Sequence, residues 1–175
     1  MSDNAVSNLR PLAPGIVLAL FSIGFGFLLG SAFGAVEGPI KDYLGSSADA
    51  VLEAVYEGDS EKRDAVVSKS WSYMKRAHLH GGAIGATALA SILLMGLFGA
   101  PGRVEKAAAA AFGGGALLYA LFWLAAGLTA PGIGSTGEAK DALGFIAIPG
   151  SGLCMLGLLG TLWSVFRNLV AAPSS

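Results

Sequence analysis

The two histidines of this chain, His78 and His80, are its most chemically versatile side chains, and they stand two positions apart. Neutral imidazole is the commonest metal ligand, and histidine also changes charge near physiological pH. On an α-helix, two positions subtend about 200°, so the two rings point to opposite faces. One regular helix therefore cannot bring both rings to one ion, and the sequence predicts separate surroundings for the two histidines.

Each histidine belongs to its own helix face. At helical spacing, a polar face contains Tyr73, Arg76, His80, Thr87 and Ser91. The face of His78 contains Trp71, Lys75, Gly82 and Gly85. Three interpretations stay open. A histidine is an axial haem or metal ligand at the membrane edge, or it begins a proton path through the polar face, or it anchors the helix at the interface as Trp, Tyr, Lys and Arg do.

A second aromatic group extends the candidate site. Tyr119 and Trp123 stand at i and i+4, a spacing that suits the edge of a haem, quinone or pigment ring and equally suits ordinary packing. The candidate cofactor-binding residues are Arg76, His78, His80, Tyr119 and Trp123, of which His78 and His80 are the candidate metal ligands. Haem bound between two axial ligands needs a residue from a second copy of the chain, or Met95 or Met155.

The composition places these residues in a membrane protein. The chain has 175 residues, of which 54% are hydrophobic and 13% charged, and its mean hydropathy is +0.64. Soluble domains carry roughly 25% charged residues. With a net charge of −1, the chain lacks the excess of basic residues that is typical of nucleic-acid-binding proteins. The single cysteine, Cys154, allows no internal disulfide.

Long stretches with almost no charge predict the membrane spans. Each exceeds the ~20 residues that cross the hydrocarbon core, where only helices pair every backbone group locally. The predicted spans are residues 13–36, 78–100, 106–130 and 142–170, with a polar loop at 37–77. We therefore predict an all-α integral membrane protein. It is a four-transmembrane-helix bundle in one domain, residues 1–175, with a partly helical extramembrane loop between spans 1 and 2.

The polar loop carries its own helix signals. Gly38-Pro39 is expected to end the first helix. Ser46 and Asp49 resemble a capping box for a short amphipathic helix that ends at Gly58. Its polar face is acidic, so it is expected to dock on protein rather than on anionic lipid. Asp59 or Ser60 then caps a second helix of roughly 40 residues, far longer than the bilayer requires.

Proline and glycine mark the remaining connections. Residues 100–103 predict a tight turn between antiparallel spans, and residues 130–137 predict a second turn region. Pro149 and Gly150 are expected to kink the fourth span, and the alternative is that Pro149 begins a new helix.

Small residues predict where helices approach closely. Gly26, Gly30 and Gly34 recur at i, i+4 and i+8 on one face of span 1. Together with Gly82 and Gly85, they are predicted helix-packing residues, available for association between chains. Such a face also indicates that span 1 remains part of the protein, because a cleaved signal peptide does not need a packing face. A cleaved signal peptide is the alternative, with its cleavage region at residues 32–34.

Lys75-Arg-Ala-His-Leu-His-Gly-Gly at 75–82 resembles the start of histidine-bearing helices in small bacterial four-span inner-membrane proteins of unassigned function. More distantly, it is similar to helix entries in haem–copper-oxidase-like proteins. The resemblance implies a bacterial inner membrane and a respiratory or haem-associated role. Those oxidases use further histidines that this chain lacks, so their active site does not carry over.

Orientation depends on the Lys and Arg residues near the span ends, and their number is the same on the two sides of the membrane. Arg103 and Lys106 lie in the shortest loop, and this places both termini in the cytoplasm.

The leading functional hypothesis is a non-catalytic accessory, assembly or interaction subunit in a lipid bilayer. Its partner is another membrane protein or a second copy of the chain. Two alternatives stay open: a haem- or quinone-binding redox protein that uses His78 or His80, and a proton-coupled transporter with a path from His80 through Thr87 and Ser91. The span centres lack the acidic and basic residues that transport paths usually contain.

Overall fold

The computed structural model describes residues 3–98 and 100–170, which form helices and no strands. The helices are α1 (Asp3–Leu9), α2 (Ala13–Asp49), α3 (Leu52–Tyr56), α4 (Ser60–Leu97), α5 (Arg103–Ile133), α6 (Thr136–Ala142) and α7 (Gly144–Val165). A 3₁₀ turn at Arg10–Leu12 joins α1 to α2, and a π-helical turn at Phe166–Val170 follows α7. The helices α2, α4, α5 and α7 are long and apolar enough to cross a membrane. The predicted all-α four-span fold is confirmed.

Helix α5 is the centre of the bundle. It packs along α2 and α4 on one side and along α7 on the other, whereas α7 meets α4 over only a short length. In the most apolar window of each helix, 50% of the α5 residues are buried, against 17% for α7. Since the outer helices have few protein neighbours, their exposed apolar side chains face the lipid.

Adjacent glycines let α5 approach two helices at once. A Cβ atom on Gly113 would lie 3.1 Å from the Ala19 nitrogen of α2. A Cβ atom on Gly115 would lie 2.6 Å from the Cys154 nitrogen of α7. In lipid, van der Waals packing between close backbones drives helix association. The glycine run of α5 thus holds α2 and α7 on opposite sides of the central helix.

The first helix is kinked close to Gly38-Pro39, where the sequence predicted its end, and a second helical segment follows the kink. Only Val36 leaves the helical region, at φ −136° and ψ 36°, and α2 continues to Asp49. Proline lacks an N–H, and its ring collides with the carbonyl four residues earlier in a regular helix. The irregular backbone at Val36 relieves that collision, so the proline interrupts the helix locally rather than ending it.

The connection between α2 and α4 also differs from the predicted capping box. The Ser46 hydroxyl donates to the Asp42 carbonyl at 2.8 Å, inside α2, and α3 is only five residues long. The expected cap on α4 is confirmed, because the Asp59 carboxylate accepts a hydrogen bond from the Lys62 N–H at 2.9 Å. Helix α4 has 38 residues and therefore extends about 57 Å, well beyond a bilayer.

Tyr56 docks α3 onto the bundle, as the amphipathic pattern predicted. Its side chain is fully buried, and its hydroxyl donates to the Pro131 carbonyl of α5 at 2.7 Å. Burial raises the pKa of the Tyr56 phenol, and the nearby positive charge of Arg63 partly offsets this effect. The phenol therefore stays protonated and keeps donating over the physiological pH range.

Replacing Tyr56 with phenylalanine should lower the free energy of unfolding by about 1–3 kcal/mol, since the buried Pro131 carbonyl loses its donor. Thermal unfolding in detergent, followed by circular dichroism, measures the loss. Tyr43→Phe is the matched control, because Tyr43 is 57% exposed. Equal stability of the two variants would show that the hydrogen bond contributes nothing.

Of the two turns predicted from proline and glycine at residues 100–103 and 130–137, the first agrees with the structure and the second agrees only in part. The turn between α4 and α5 is short, as predicted, and the two helices pack side by side. Helix α5 runs through Pro131 to Ile133 and ends at Gly134, whose φ of 83° favours glycine. Helix α7 runs through Pro149 as one helix.

Candidate functional site

His78 lies at the interface of α4 with α2. Its Nδ1 is 2.7 Å from the Gly26 carbonyl oxygen, so Nδ1 carries the proton and donates it. The imidazole ring lies over Gly30, where a Cβ atom would be 2.6 Å from the ring carbon Cε1. Phe33 meets the ring edge-on, with ring centroids 6.2 Å apart. His78 therefore packs two helices together and leaves only Nε2 for other partners.

His80 faces α5 instead. Its ring centroid is 5.3 Å from that of Tyr119 and 6.0 Å from that of Trp123. The ring is half-buried and forms no hydrogen bond within the described part of the chain. The prediction that the two histidines have different surroundings is confirmed.

Arg76 completes this group one turn earlier on α4. Its guanidinium carbon lies 4.9 Å from the Trp123 ring centroid and 5.4 Å from that of Tyr73. These distances are those of cation–π contacts. Tyr73 and Trp123 meet edge-on at 4.9 Å. Arg76 itself has no ion pair with any carboxylate that the structure describes.

Four of the five predicted cofactor-binding residues thus come together, and we call them the His80 cluster. Its members are Arg76, His80, Tyr119 and Trp123. His78, the fifth predicted residue, lies on the opposite face of α4 and does not belong to it. One polar atom of the cluster is unsatisfied, because the buried Trp123 Nε1 has no hydrogen-bond partner.

The other predicted ligands do not join this group into a metal centre. Within residues 3–98 and 100–170, no set of three or more His, Cys, Asp or Glu side chains is placed to hold a metal ion. Met95 is 1% exposed in the apolar core, where Thr161 Oγ1 lies 3.9 Å from its sulfur. Met155 is exposed on α7. Farther along α4, the exposed Thr87 donates to the Ala83 carbonyl, so the proton path stays a prediction.

The predicted packing glycines divide into two groups. Gly26, Gly30 and Gly85 lie at the α2–α4 interface, where a Cβ atom on any of them would meet the opposite helix. Gly34 and Gly82 have no such neighbour within 4 Å. Beside Gly85, the α4 residue Gly81 also packs closely against α2, and its carbonyl accepts a hydrogen bond from Ser22 at 3.1 Å. The four-residue spacing of Gly26, Gly30 and Gly34 predicts a shared helix face, but it does not show that α2 and α4 have already diverged at Gly34.

One apolar groove faces the lipid. It has a volume of about 570 Å³ between α2 and α5 and is lined entirely by apolar side chains and one glycine. The lining residues are Val17, Leu20, Phe21, Gly24, Phe25, Leu28 and Leu117. With no polar group to orient a reactant, this groove fits lipid chains.

The other conspicuous surface lies outside the spans. The end of α2, helix α3 and the start of α4 form a helical hairpin. Arg63 joins its two arms by an ion pair to Asp49 at 2.8 Å and a hydrogen bond to the Gly45 carbonyl at 3.1 Å. Sequence reasoning missed this role, since nothing in the local pattern pairs residues 49 and 63.

No protein-family model, curated protein or solved structure matches the chain.

Proposed function

We propose that this protein is a non-catalytic accessory subunit of the bacterial inner membrane that holds a partner protein through its extramembrane hairpin. The observation that carries this proposal is the length of the hairpin. Helix α4 has 38 residues without a break, so it extends about 57 Å, against a hydrocarbon core of about 30 Å, and α2 continues beyond its kink at Val36 to Asp49. Bilayer crossing does not require this extra length, whereas reaching a partner beyond the membrane does.

The hairpin is braced for this role. Leu44, Ala48 and Tyr56 are fully buried, and Tyr56 anchors α3 to the end of α5. Arg63 ties α2 to α4. A rigid projection presents its outer residues without the entropy cost of ordering a loop on binding.

The tip of the hairpin, residues 49–64, is acidic. It contains six carboxylates, Asp49, Glu53, Glu57, Asp59, Glu61 and Asp64, against the basic residues Lys62 and Arg63. Arg63 is already paired with Asp49 and Asp64. Anionic lipid repels such a surface, and a basic protein surface attracts it. The partner is accordingly a protein with a basic patch near the membrane. With both termini in the cytoplasm, the tip lies on the periplasmic side.

Neutralising the tip should release the partner. We expect the triple variant Glu53→Gln, Glu57→Gln, Glu61→Gln to weaken the complex about tenfold, since three rim charges each contribute about 0.5 kcal/mol. The measurement is the amount of stoichiometric partner that co-purifies from the protein's own membranes after mild cross-linking, at low and at high salt. Asp59 stays unchanged because it caps α4.

A matched control removes three carboxylates outside the tip, by Glu37→Gln, Asp42→Asn and Glu138→Gln. This variant should retain the partner within about twofold, because residues 37, 42 and 138 lie outside the tip. The proposal fails if the wild-type protein carries no stoichiometric partner, or if both triple variants lose it equally.

A further inference from the structure

The His80 cluster contains hydrogen-bond donors that lack acceptors. Trp123 Nε1 is buried and unpartnered, and the whole residue is only 9% exposed. His80 forms no hydrogen bond, and Arg76 no ion pair, with any residue in the described ranges. Indole and guanidinium groups donate and never accept. Buried polar groups in folded proteins are nearly always paired, so this cluster lacks an acceptor.

Flat rings surround these donors. Tyr119 stacks near Phe122 with ring centroids 6.0 Å apart, and Phe122 lies 5.1 Å from Trp123. Leu143, Ile146 and Ala147, from the segment that leads into and begins α7, pack against the same aromatic group. A ligand that stacks on such rings is itself flat and largely apolar, and it carries acceptor oxygens at its edge.

The burial of the Trp123 indole argues against a lipid phosphate. Trp123 is 9% exposed and its Nε1 is buried. A phosphate that reached this nitrogen would lose most of its hydration, which is costly for a charged group. A neutral carbonyl oxygen loses far less and needs only the donors already present.

We propose that the His80 cluster binds the head group of a membrane quinone. The quinone ring packs against Tyr119 and Trp123, its carbonyl oxygens accept hydrogen bonds from the cluster, and its isoprenoid tail stays among the lipid chains. Arg76 is the movable part of the site. Its side chain is exposed and has no ion pair among residues 3–98 and 100–170, so it can turn away from the Trp123 ring as the head group enters.

Haem fits these residues less well than a quinone does. The cluster offers one imidazole, because His78 packs against α2 on the opposite face of α4. The two imidazoles of one chain therefore cannot bind the same haem iron. The quinone proposal is also independent of the hairpin tip, because the two surfaces share no residue.

The test uses the full chain in nanodiscs of neutral phosphatidylcholine, titrated with a short-tailed benzoquinone and a short-tailed naphthoquinone. Saturable one-to-one binding is measured above the partition into empty nanodiscs. We expect Trp123→Phe, which keeps an aromatic ring, and Arg76→Gln each to weaken binding about tenfold. Two matched controls should bind within about twofold of wild type. They are Trp163→Phe, whose residue is 53% exposed on α7, and Lys75→Gln, the exposed base next to Arg76.

Circular dichroism of every variant establishes that it is folded. Weaker binding confined to the two cluster variants supports the proposal. Three outcomes overturn it: no saturable binding of either quinone, equal weakening in the controls, or a Soret band in the purified protein that disappears in His80→Ala. Binding of an anionic phospholipid that requires Arg76, without quinone binding, would assign the cluster to a lipid head group and likewise overturn it.

Discussion

The Gly26→Ala variant should lose about 3 kcal/mol of unfolding free energy, although alanine is the better helix former by roughly 1 kcal/mol. A Cβ atom on Gly26 would lie 2.6 Å from the Gly82 nitrogen and 3.0 Å from the His78 carbonyl oxygen. These neighbours are backbone atoms, which cannot rotate away. The helices α2 and α4 must separate, and the hydrogen bond from His78 Nδ1 to the Gly26 carbonyl weakens with them.

Gly34→Ala is the control on the same helix face, because no neighbouring atom lies within 4 Å of its Cβ position. It should keep or slightly raise the stability. Unfolding of both variants in mixed micelles by increasing SDS fractions gives the two free energies. If Gly26→Ala proved as stable as Gly34→Ala, the close α2–α4 contact would be wrong. Since α4 occupies Gly26 and Gly30, self-association of the folded chain must use another surface.

Glu105→Gln should lower the unfolding free energy by about 1–3 kcal/mol, because it removes a charge from a buried junction. The Glu105 side chain is 2% exposed. Its Oε1 accepts from Arg167 Nη2 at 2.8 Å, and its Oε2 accepts from the Gly102 N–H at 2.9 Å. The carboxylate thus caps α5 and fastens the turn that follows α7. Glutamine keeps the shape and one acceptor oxygen, so the variant isolates the charge.

The exposed pair of Glu37 with Lys41 provides the comparison, since its side chains are 50% and 49% exposed. Glu37→Gln should change the unfolding free energy by less than about 0.5 kcal/mol, as surface ion pairs usually do. Raising the salt concentration should leave the Glu105→Gln deficit largely unchanged, since the carboxylate is buried. A deficit that disappears at high salt would mean that solvent reaches the junction.

The sequence determined the features that depend on local pattern. Charge-free stretches fixed four spans, because hydrocarbon excludes charged groups and requires helical backbone. The N-terminal cap of α4 could be predicted from Asp59, because a capping carboxylate accepts a hydrogen bond from the backbone N–H only three residues later. The two-residue spacing of His78 and His80 predicted that they lie on opposite faces of α4. Helical spacing placed Arg76 beside His80, and the adjacency of the second and third spans placed Tyr119 and Trp123 within reach of it.

Only the tertiary structure decided the features that depend on which surfaces meet. Pro39 was expected to end a helix, but a helical segment with the buried residues Leu44 and Ala48 continues beyond the kink at Val36. The central position of α5 follows from glycines that face two helices at once. Glu105 pairs with Arg167 across 62 positions, and His78 with Gly26 across 52. Such contacts depend on the relative rotation and separation of whole helices, which many side chains set together and no short stretch of sequence encodes.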